Sequence, residues 1–159
     1  MKEEKSIIRI KSELFSEVLQ RVIGSPQLTF KEITTVEKQG LYIIYEGDDI
    51  VYVGKTTRSG KVRIRELAAD FRSHTFNKKL LSKRFKELGF VFKTLRNELK
   101  KEWIENGQIS LDDFKSHQDY VNQHIRTALK FRFHPMEDEH ELGRLEHFAI
   151  AIFDPLFNE

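Results

Sequence analysis

Side chains suited to chemistry on a phosphate ester occur in order along the chain. Tyr42 and Tyr52 flank a predicted turn, Arg63 follows, and Glu146 stands near the end of the sequence. Hydrolysis of a phosphodiester requires an activated water, neutralisation of charge on the phosphoryl oxygens and assistance to the leaving oxygen. A carboxylate is a hard ligand for Mg²⁺ or Mn²⁺, and a guanidinium can hold a phosphate through two hydrogen bonds. These residue types therefore suit phosphodiester chemistry if the fold brings them together.

The tyrosines need nearby positive charge to act as bases. A phenol has a pKa near 10, so its anion forms at neutral pH only where a cation favours it. Lys55, which directly follows Gly54, could supply that charge together with a metal ion. Gly54 could bend the end of a strand, or it could let a phosphate approach the backbone as a substrate-binding residue.

The register of the predicted hairpin decides whether the two tyrosines share a face. The sequence from Gly40 to Lys55 has two runs rich in Tyr, Ile and Val, which predicts a hairpin. A loop of three or five residues places Tyr42 and Tyr52 on one face, whereas a two-residue turn at Gly47-Asp48 places them on opposite faces.

Helical and extended patterns around this hairpin indicate an α+β fold. Helices are predicted over about 6–23, from 62, over 77–88, 93–106, 110–127 and 137–153, and a third strand over 129–133. We expect a small three-stranded, largely antiparallel sheet flanked by helices, with Leu142, Leu145, Ala149 and Ile152 on the buried face of the last helix.

The ordered motifs resemble those of the GIY-YIG nuclease family. They are Gly40-Leu41-Tyr42, Tyr52-Val53-Gly54, Arg63, Glu146 and the Pro-x-x-Asn from Pro155 to Asn158. The resemblance implies hydrolysis of DNA phosphodiester bonds by one Mg²⁺ held at Glu146, for which Mn²⁺ would substitute. It implies that Tyr42 or Tyr52 is the base or positions the water. Arg63 would hold the phosphate, and Asn158, unless frayed at the chain end, would keep the site in shape.

The chain departs from the family pattern in the helix that carries the arginine. The position four after Arg63, often His or Tyr in the family, is Leu67. His74 could substitute for that residue, the alternative being an ordinary surface histidine. Arg65 competes with Arg63 as a phosphate ligand. Arg63 is preferred because the apolar Ile64 follows it.

Charge is distributed unevenly along the chain. Residues 55–101 carry 15 Lys and Arg against 4 Asp and Glu, although the whole chain has a net charge of only +2. Such a segment attracts a polyanion, with a solvated helical face as the alternative. We therefore expect DNA as the partner, with Lys78 and Lys79 among the residues that bind it.

The resemblance and the helical pattern together predict two parts of the chain. Residues 1–37 are expected to form an N-terminal helical extension and residues 38–159 a GIY-YIG-like domain with a helical insertion at about 93–127. The insertion contains Trp103, and it could contact DNA, form a dimer contact or cap the sheet. At their spacing, the phenylalanines from Phe71 to Phe92 suit a core better than a base-stacking surface.

Composition excludes several other classes of protein. The chain lacks Cys, which excludes disulfides, thiolate nucleophiles and Cys-containing zinc sites. No stretch reaches the roughly 18 apolar residues of a membrane span, and no secretory signal is recognised, so a cytoplasmic protein is expected.

The leading prediction is thus a Mg²⁺-dependent DNA endonuclease, with restriction or defence as a plausible setting because some restriction enzymes of the family are compact. Target choice would come from the insertion, a homodimer or a partner protein. The alternative is a catalytically inactive nucleic-acid-binding or interaction module with the same fold.

Overall fold

A three-stranded antiparallel sheet organises the molecule, with strand order β2-β1-β3. The computed structural model describes residues 1–158. The strands are β1 (Gly40–Glu46), β2 (Asp49–Thr56) and β3 (Leu129–Pro135). They are rich in β-branched and aromatic residues, which pack well on a pleated surface. The predicted α+β class and the antiparallel sheet are confirmed.

Seven helices surround this sheet within residues 1–158. They are α1 (Lys2–Gly24), α2 (Phe30–Ile33), α3 (Gly60–Leu67), α4 (Thr75–Glu87), α5 (Asn97–Glu105), α6 (Leu111–Ala128) and α7 (Glu139–Phe153). The short α2 was not predicted, although a capping box on Thr29 and Glu32 starts it. No helix among these residues combines the length and apolarity that crossing a bilayer requires.

The start of α5 is later than the pattern predicted. Residues 93–96 are not helical, and α5 begins at Asn97. Just before them, the rings of Phe90 and Phe92 lie 4.7 and 5.2 Å from that of Trp103. These ring contacts therefore hold the segment before Asn97 against α5 as a loop.

A β-bulge shifts the register of the hairpin by one residue. Glu46 pairs with Asp49 across a two-residue turn in which Gly47 has φ +60°. The register then shifts, because Tyr45 pairs with Ile50 whereas Ile44 pairs with Tyr52. One extra residue, Val51, absorbs the shift. The two-residue turn therefore does not separate Tyr42 from Tyr52, and the prediction that it would do so is wrong.

The sheet buries a different set of side chains on each face. The first-face core contains Tyr42, Ile44 and Phe131 together with residues of α2 to α6. The second-face core contains Leu41, Ile43 and Val53 together with residues of α1 and α7. The two tyrosine motifs thus lie on a sheet that is covered on both sides.

The helices predicted as an insertion belong to the first-face core. Trp103 of α5 and Phe114, Val121 and Ile125 of α6 are buried in it. Of the three interpretations of this segment, capping the sheet describes where its helices lie. Among the phenylalanines predicted as core, Phe71, Phe76 and Phe85 are fully buried.

The second-face core ties both ends of the chain to the sheet. Phe15, Val18, Leu19 and Val22 of α1 pack with Leu142, Leu145 and Ala149 of α7. Ile152, expected on the same buried face of α7, is 61% exposed, so that expectation is wrong. It lies in the last turn of α7 and lines an open groove against α1 instead.

Candidate active site

The candidate site forms beside β2, an edge strand of the sheet, where residues from two strands and two helices meet. Tyr42 of β1 and Tyr52 of β2 share a face, and their rings lie 6.2 Å apart. Arg63 of α3 and Glu146 of α7 both lie near enough to influence the pKa of each phenol. The structure therefore brings together the four side chains that the sequence singled out.

His74 supports Tyr42 from behind. Its Nε2 lies 2.8 Å from the Tyr42 hydroxyl, and its Nδ1 accepts the backbone N–H of Phe76 at 3.0 Å, which caps α4. Burial, reinforced by the charge of Arg63, lowers the pKa of His74 to about 3. The neutral ring must therefore carry its proton on Nε2 and donate it to Tyr42.

This pairing decides between the two expectations for His74. With 2% of its surface exposed, it is not a surface histidine. Leu67, where the family often has His or Tyr, is fully buried in the first-face core and cannot reach a substrate. His74 thus supplies a hydrogen-bonding imidazole to the site from the start of α4.

Tyr42 is poorly placed to become a phenolate. Burial raises the pKa of Tyr42 well above its ordinary value, and Tyr52 and Glu146 raise it further, against the opposing charge of Arg63. Burial also raises the pKa of Tyr52, which is only partly buried. Both phenols are therefore protonated at neutral pH, with Tyr52 the more accessible.

Gly54 makes room for Tyr42. The two residues are cross-strand partners, and a Cβ at Gly54 would overlap the end of the Tyr42 ring. Gly54 lies within β2 and not at a bend that ends it, and its expected role in phosphate approach stays a prediction. The glycine is needed because the ring of Tyr42 crosses the backbone of β2 at this position.

Arg63 is the arginine that faces the tyrosines. Its guanidinium donates to Glu66 at 3.0 Å, and Arg58 binds both oxygens of the same carboxylate at 2.9 and 2.7 Å. Arg65 is exposed on another side of α3. Sequence reasoning missed Glu66 as a positioning residue, although its i,i+3 spacing from Arg63 is the signal of a helical ion pair.

Lys55 acts on Glu146 rather than on the phenols. Burial raises the pKa of Glu146, against the opposing charge of Lys55 and the backbone N–H of the same residue. The Lys55 ammonium passes over Gly143, where an added Cβ would lie 3.1 Å from Nζ. The positive charge at both phenols comes from Arg63, not from Lys55 as expected.

Asn158 fastens the C-terminal segment to the edge of β2. Its side-chain amide accepts the N–H of Val53 and donates to the C=O of Val53, both at 2.8 Å. The N–H of Phe157 also donates to the C=O of Val51 at 3.0 Å. Asn158 is therefore not frayed, and it acts on the shape of the strand that carries Tyr52.

The carboxylates near the tyrosines fit a divalent metal held through one protein ligand. Within residues 1–158 no group of three or more His, Asp or Glu side chains is arranged to hold a metal ion. Glu66 is occupied by Arg58 and Arg63, which leaves Glu146 as the available oxygen donor. A hard cation such as Mg²⁺ accepts such an arrangement because water and phosphate oxygens complete its coordination.

One basic surface adjoins this cluster, and a second lies apart from it. Lys55, Arg58 and Arg63 line an open depression of about 210 Å³ directly beside it. Lys78 and Lys79, expected to bind substrate, lie on α4 and line a separate groove. The predicted cations are thus divided between a position beside the tyrosines and one further along the surface.

No protein-family model, curated protein or solved structure matches the chain. The resemblance to GIY-YIG nucleases therefore stays a prediction from the motif residues.

Proposed function

We propose that the protein is a metal-dependent endonuclease of the GIY-YIG type that hydrolyses phosphodiester bonds in DNA. The observation that carries the proposal is the convergence of Tyr42, Tyr52, Arg63 and Glu146 from four different elements. They meet beside a depression lined by three cationic side chains.

The scissile phosphate would lie in this depression. Arg63 is held in place by Glu66, so its remaining N–H groups can bind two phosphate oxygens. Lys55 and Arg58 add charge that balances the growing negative charge on the phosphoryl group. A cytoplasmic setting and a role in restriction or defence remain part of this proposal.

Glu146 would hold the Mg²⁺ ion, with Mn²⁺ as a substitute. When bound there, such an ion stabilises negative charge on phosphate oxygens and lowers the pKa of a coordinated water. Binding requires the ionised carboxylate, and burial raises the pKa of Glu146. Metal affinity should consequently fall at mildly acidic pH sooner than for an exposed glutamate.

The tyrosines would orient the attacking water. Because His74 donates to the oxygen of Tyr42, the Tyr42 hydroxyl is free to donate its own proton into the site. Tyr52 is the phenol that water can reach more readily. In this arrangement Tyr42 would hold the attacking water in position through its hydroxyl hydrogen. Tyr52 would contact the same water.

A binding module without turnover is the second candidate. The observation in its favour is the burial of Tyr42, whose raised pKa opposes a role as a base. Both candidates bind DNA, so only strand breakage separates them.

Cleavage of supercoiled plasmid by wild type, Glu146→Gln and Glu139→Gln tests the proposal, each with Mg²⁺, Mn²⁺ or EDTA. Glu139 is exposed in the first turn of the same helix and provides the matched control. We expect metal-dependent nicking or linearisation by wild type and Glu139→Gln. We expect a loss of at least about 100-fold in Glu146→Gln, a typical effect of removing one group that stabilises the transition state.

Binding of the same variants to labelled duplex in EDTA completes the test. Glu146→Gln should bind at least as well as wild type, because one negative charge has been removed. Equal background nicking by all three proteins would favour the binding module. Loss of both binding and cleavage in a folded Glu146→Gln protein would contradict a specific catalytic role.

A further inference from the structure

A basic groove runs beside α4, outside the tyrosine cluster. Five lysines line it, together with an apolar floor formed in part by the C-terminal segment, and its volume is about 730 Å³. We call it the lysine groove; its lysines are Lys78, Lys79, Lys83, Lys86 and Lys93. The residues of the floor are Leu95, Leu156 and Phe157.

Basic side chains outnumber acidic ones among the described residues that line the lysine groove. Within residues 1–158, Glu87 is the acidic residue that lines it, and it lies 3.8 Å from Lys83 with both side chains mostly exposed. Such an exposed pair contributes little. Lys83 and Lys86 lie one turn apart on α4, where like charges destabilise a helix. A polyanion in the groove would relieve this repulsion.

The lysine groove is connected to the tyrosine cluster by a short series of ring contacts. The Tyr52 ring lies 5.2 Å from Phe76, which lies 5.6 Å from Phe157. The ammonium of Lys83 lies 6.0 Å from the Phe157 ring. A B-form strand carries a phosphate about every 3.4 Å along its axis, so in a straight line the two places are at most about five phosphate steps apart.

We infer that the lysine groove binds the phosphodiester backbone of a DNA duplex a few nucleotides away from the bond at the tyrosine cluster. This inference rests on the proposed function for its orientation, but binding can be measured without turnover. The lysines would contact phosphates and not base edges, so the groove would add affinity and register without sequence preference. An acidic protein segment has the same sign of charge but lacks the regular phosphate spacing.

Two double variants with the same net charge test the inference. Lys83→Gln with Lys86→Gln removes two exposed cations from the groove. Lys101→Gln with Lys115→Gln removes two exposed cations from α5 and α6, outside it. Affinity for a labelled DNA duplex is measured in EDTA over a series of monovalent salt concentrations, and circular dichroism verifies the fold of each protein.

The groove variant should lose affinity at moderate salt by roughly one to two orders of magnitude. Its slope of log affinity against log salt should fall by about 2, one for each lost phosphate contact. The control variant should keep the wild-type slope. Equal slopes in the two variants, or equal loss of affinity, would overturn the inference, as would binding of polyglutamate with no binding of DNA.

The outcome is separable from that of the proposed function. If the wild type binds DNA through the groove but never cuts it, this inference holds and the proposed nuclease activity is contradicted. If cleavage depends on Glu146 but the groove variant binds DNA like the Lys101→Gln/Lys115→Gln variant, the nuclease proposal holds and this inference is contradicted.

Discussion

The hydrogen bond between His74 and Tyr42 can form in only one direction. The backbone N–H of Phe76 occupies Nδ1 of the imidazole, so Nε2 carries the hydrogen and the phenol oxygen accepts it. A phenol that already accepts a hydrogen bond in a buried place can still donate one outward. The pair therefore presents a fixed donor to a water or phosphate oxygen in the site.

The low pKa of His74 predicts a component of stability that depends on pH. The unfolded chain takes up a proton on this histidine below about pH 6.5, whereas the folded protein does so only near pH 3. The contribution is thus complete above pH 6.5 and is lost as the pH falls from 6.5 towards 3. Between pH 7.5 and 5 it amounts to about 2 kcal/mol. Urea denaturation of wild type and His74→Asn at several pH values measures it.

The variant should be less stable than wild type at pH 7.5, and its stability should fall less on acidification. Arg63 and Glu66 also influence His74, but both remain charged across this range, so they do not mask the difference. His140→Asn, which removes an exposed histidine, should keep the wild-type dependence. Parallel curves for wild type and His74→Asn would show that the histidine is not held neutral by the fold.

Residue types and order were enough to find Tyr42, Tyr52, Arg63 and Glu146. The sequence did not reveal the residues that support them. His74 does not resemble a usual helix cap, and its partner Tyr42 lies on another element. Glu66 binds Arg63 from one turn further along α3, but its spacing alone does not show that the pair lies beside the tyrosines. Supporting contacts depend on the relative placement of elements, which one sequence does not display.

At the scale of elements, the bulge in β2 is a feature that the sequence pattern does not predict. Two runs rich in Tyr, Ile and Val predicted both strands of the hairpin, and a two-residue turn at Gly47-Asp48 is one of the loops compatible with them. The insertion of Val51 was not predicted, because a bulge leaves no distinct mark in a run of Ile and Val. One extra residue changes the face of Tyr52, and with it the composition of the site.

Three buried amides fix the loop between α3 and α4. Asn77 donates to the C=O of Leu67, Asn122 to the C=O of Ala69, and Gln118 accepts the N–H of Phe71. Gln118 also donates to Asn77 and Asn122. These contacts connect α4 and α6 to the end of the helix that carries Arg63.

Gln118→Leu should destabilise the fold by about 2–6 kcal/mol. The substitution leaves the N–H of Phe71 and the side-chain oxygen of Asn77 buried without this partner, at about 1–3 kcal/mol each. Urea denaturation measures the change. Gln123→Leu, an exposed substitution on the same helix, should shift stability by less than about 0.5 kcal/mol. Comparable losses in both variants would mean that α6 tolerates no leucine and that the network is not the cause.

For the whole molecule, the decisive feature is that the candidate site joins two cores. Tyr42 belongs to the first-face core, whereas Glu146 lies on α7, whose apolar face belongs to the second-face core. The helices that follow β2 and the helices at the two ends of the chain therefore have to pack on opposite faces before the site exists. Disturbing either core should affect the chemistry, even at a distance from it.

The second-face core predicts that the two halves of α1 differ in importance. Residues 1–10 are exposed throughout, whereas Phe15, Val18, Leu19 and Val22 are at most 8% exposed. Burial of each such side chain contributes about 1.5–3 kcal/mol. Their combined loss would approach the entire stability of an ordinary domain, about 5–15 kcal/mol.

Removing residues 2–10 should therefore leave the thermal unfolding transition and DNA cleavage close to wild type. Removing residues 2–24 should yield a protein without a cooperative transition, because Leu41 and Ile43 of the sheet and Leu142 of α7 lose their cover. Thermal denaturation followed by circular dichroism compares the two truncations. A cooperative, active protein lacking residues 2–24 would show that the N-terminal helix is a dispensable extension, and that α7 holds Glu146 in place without it.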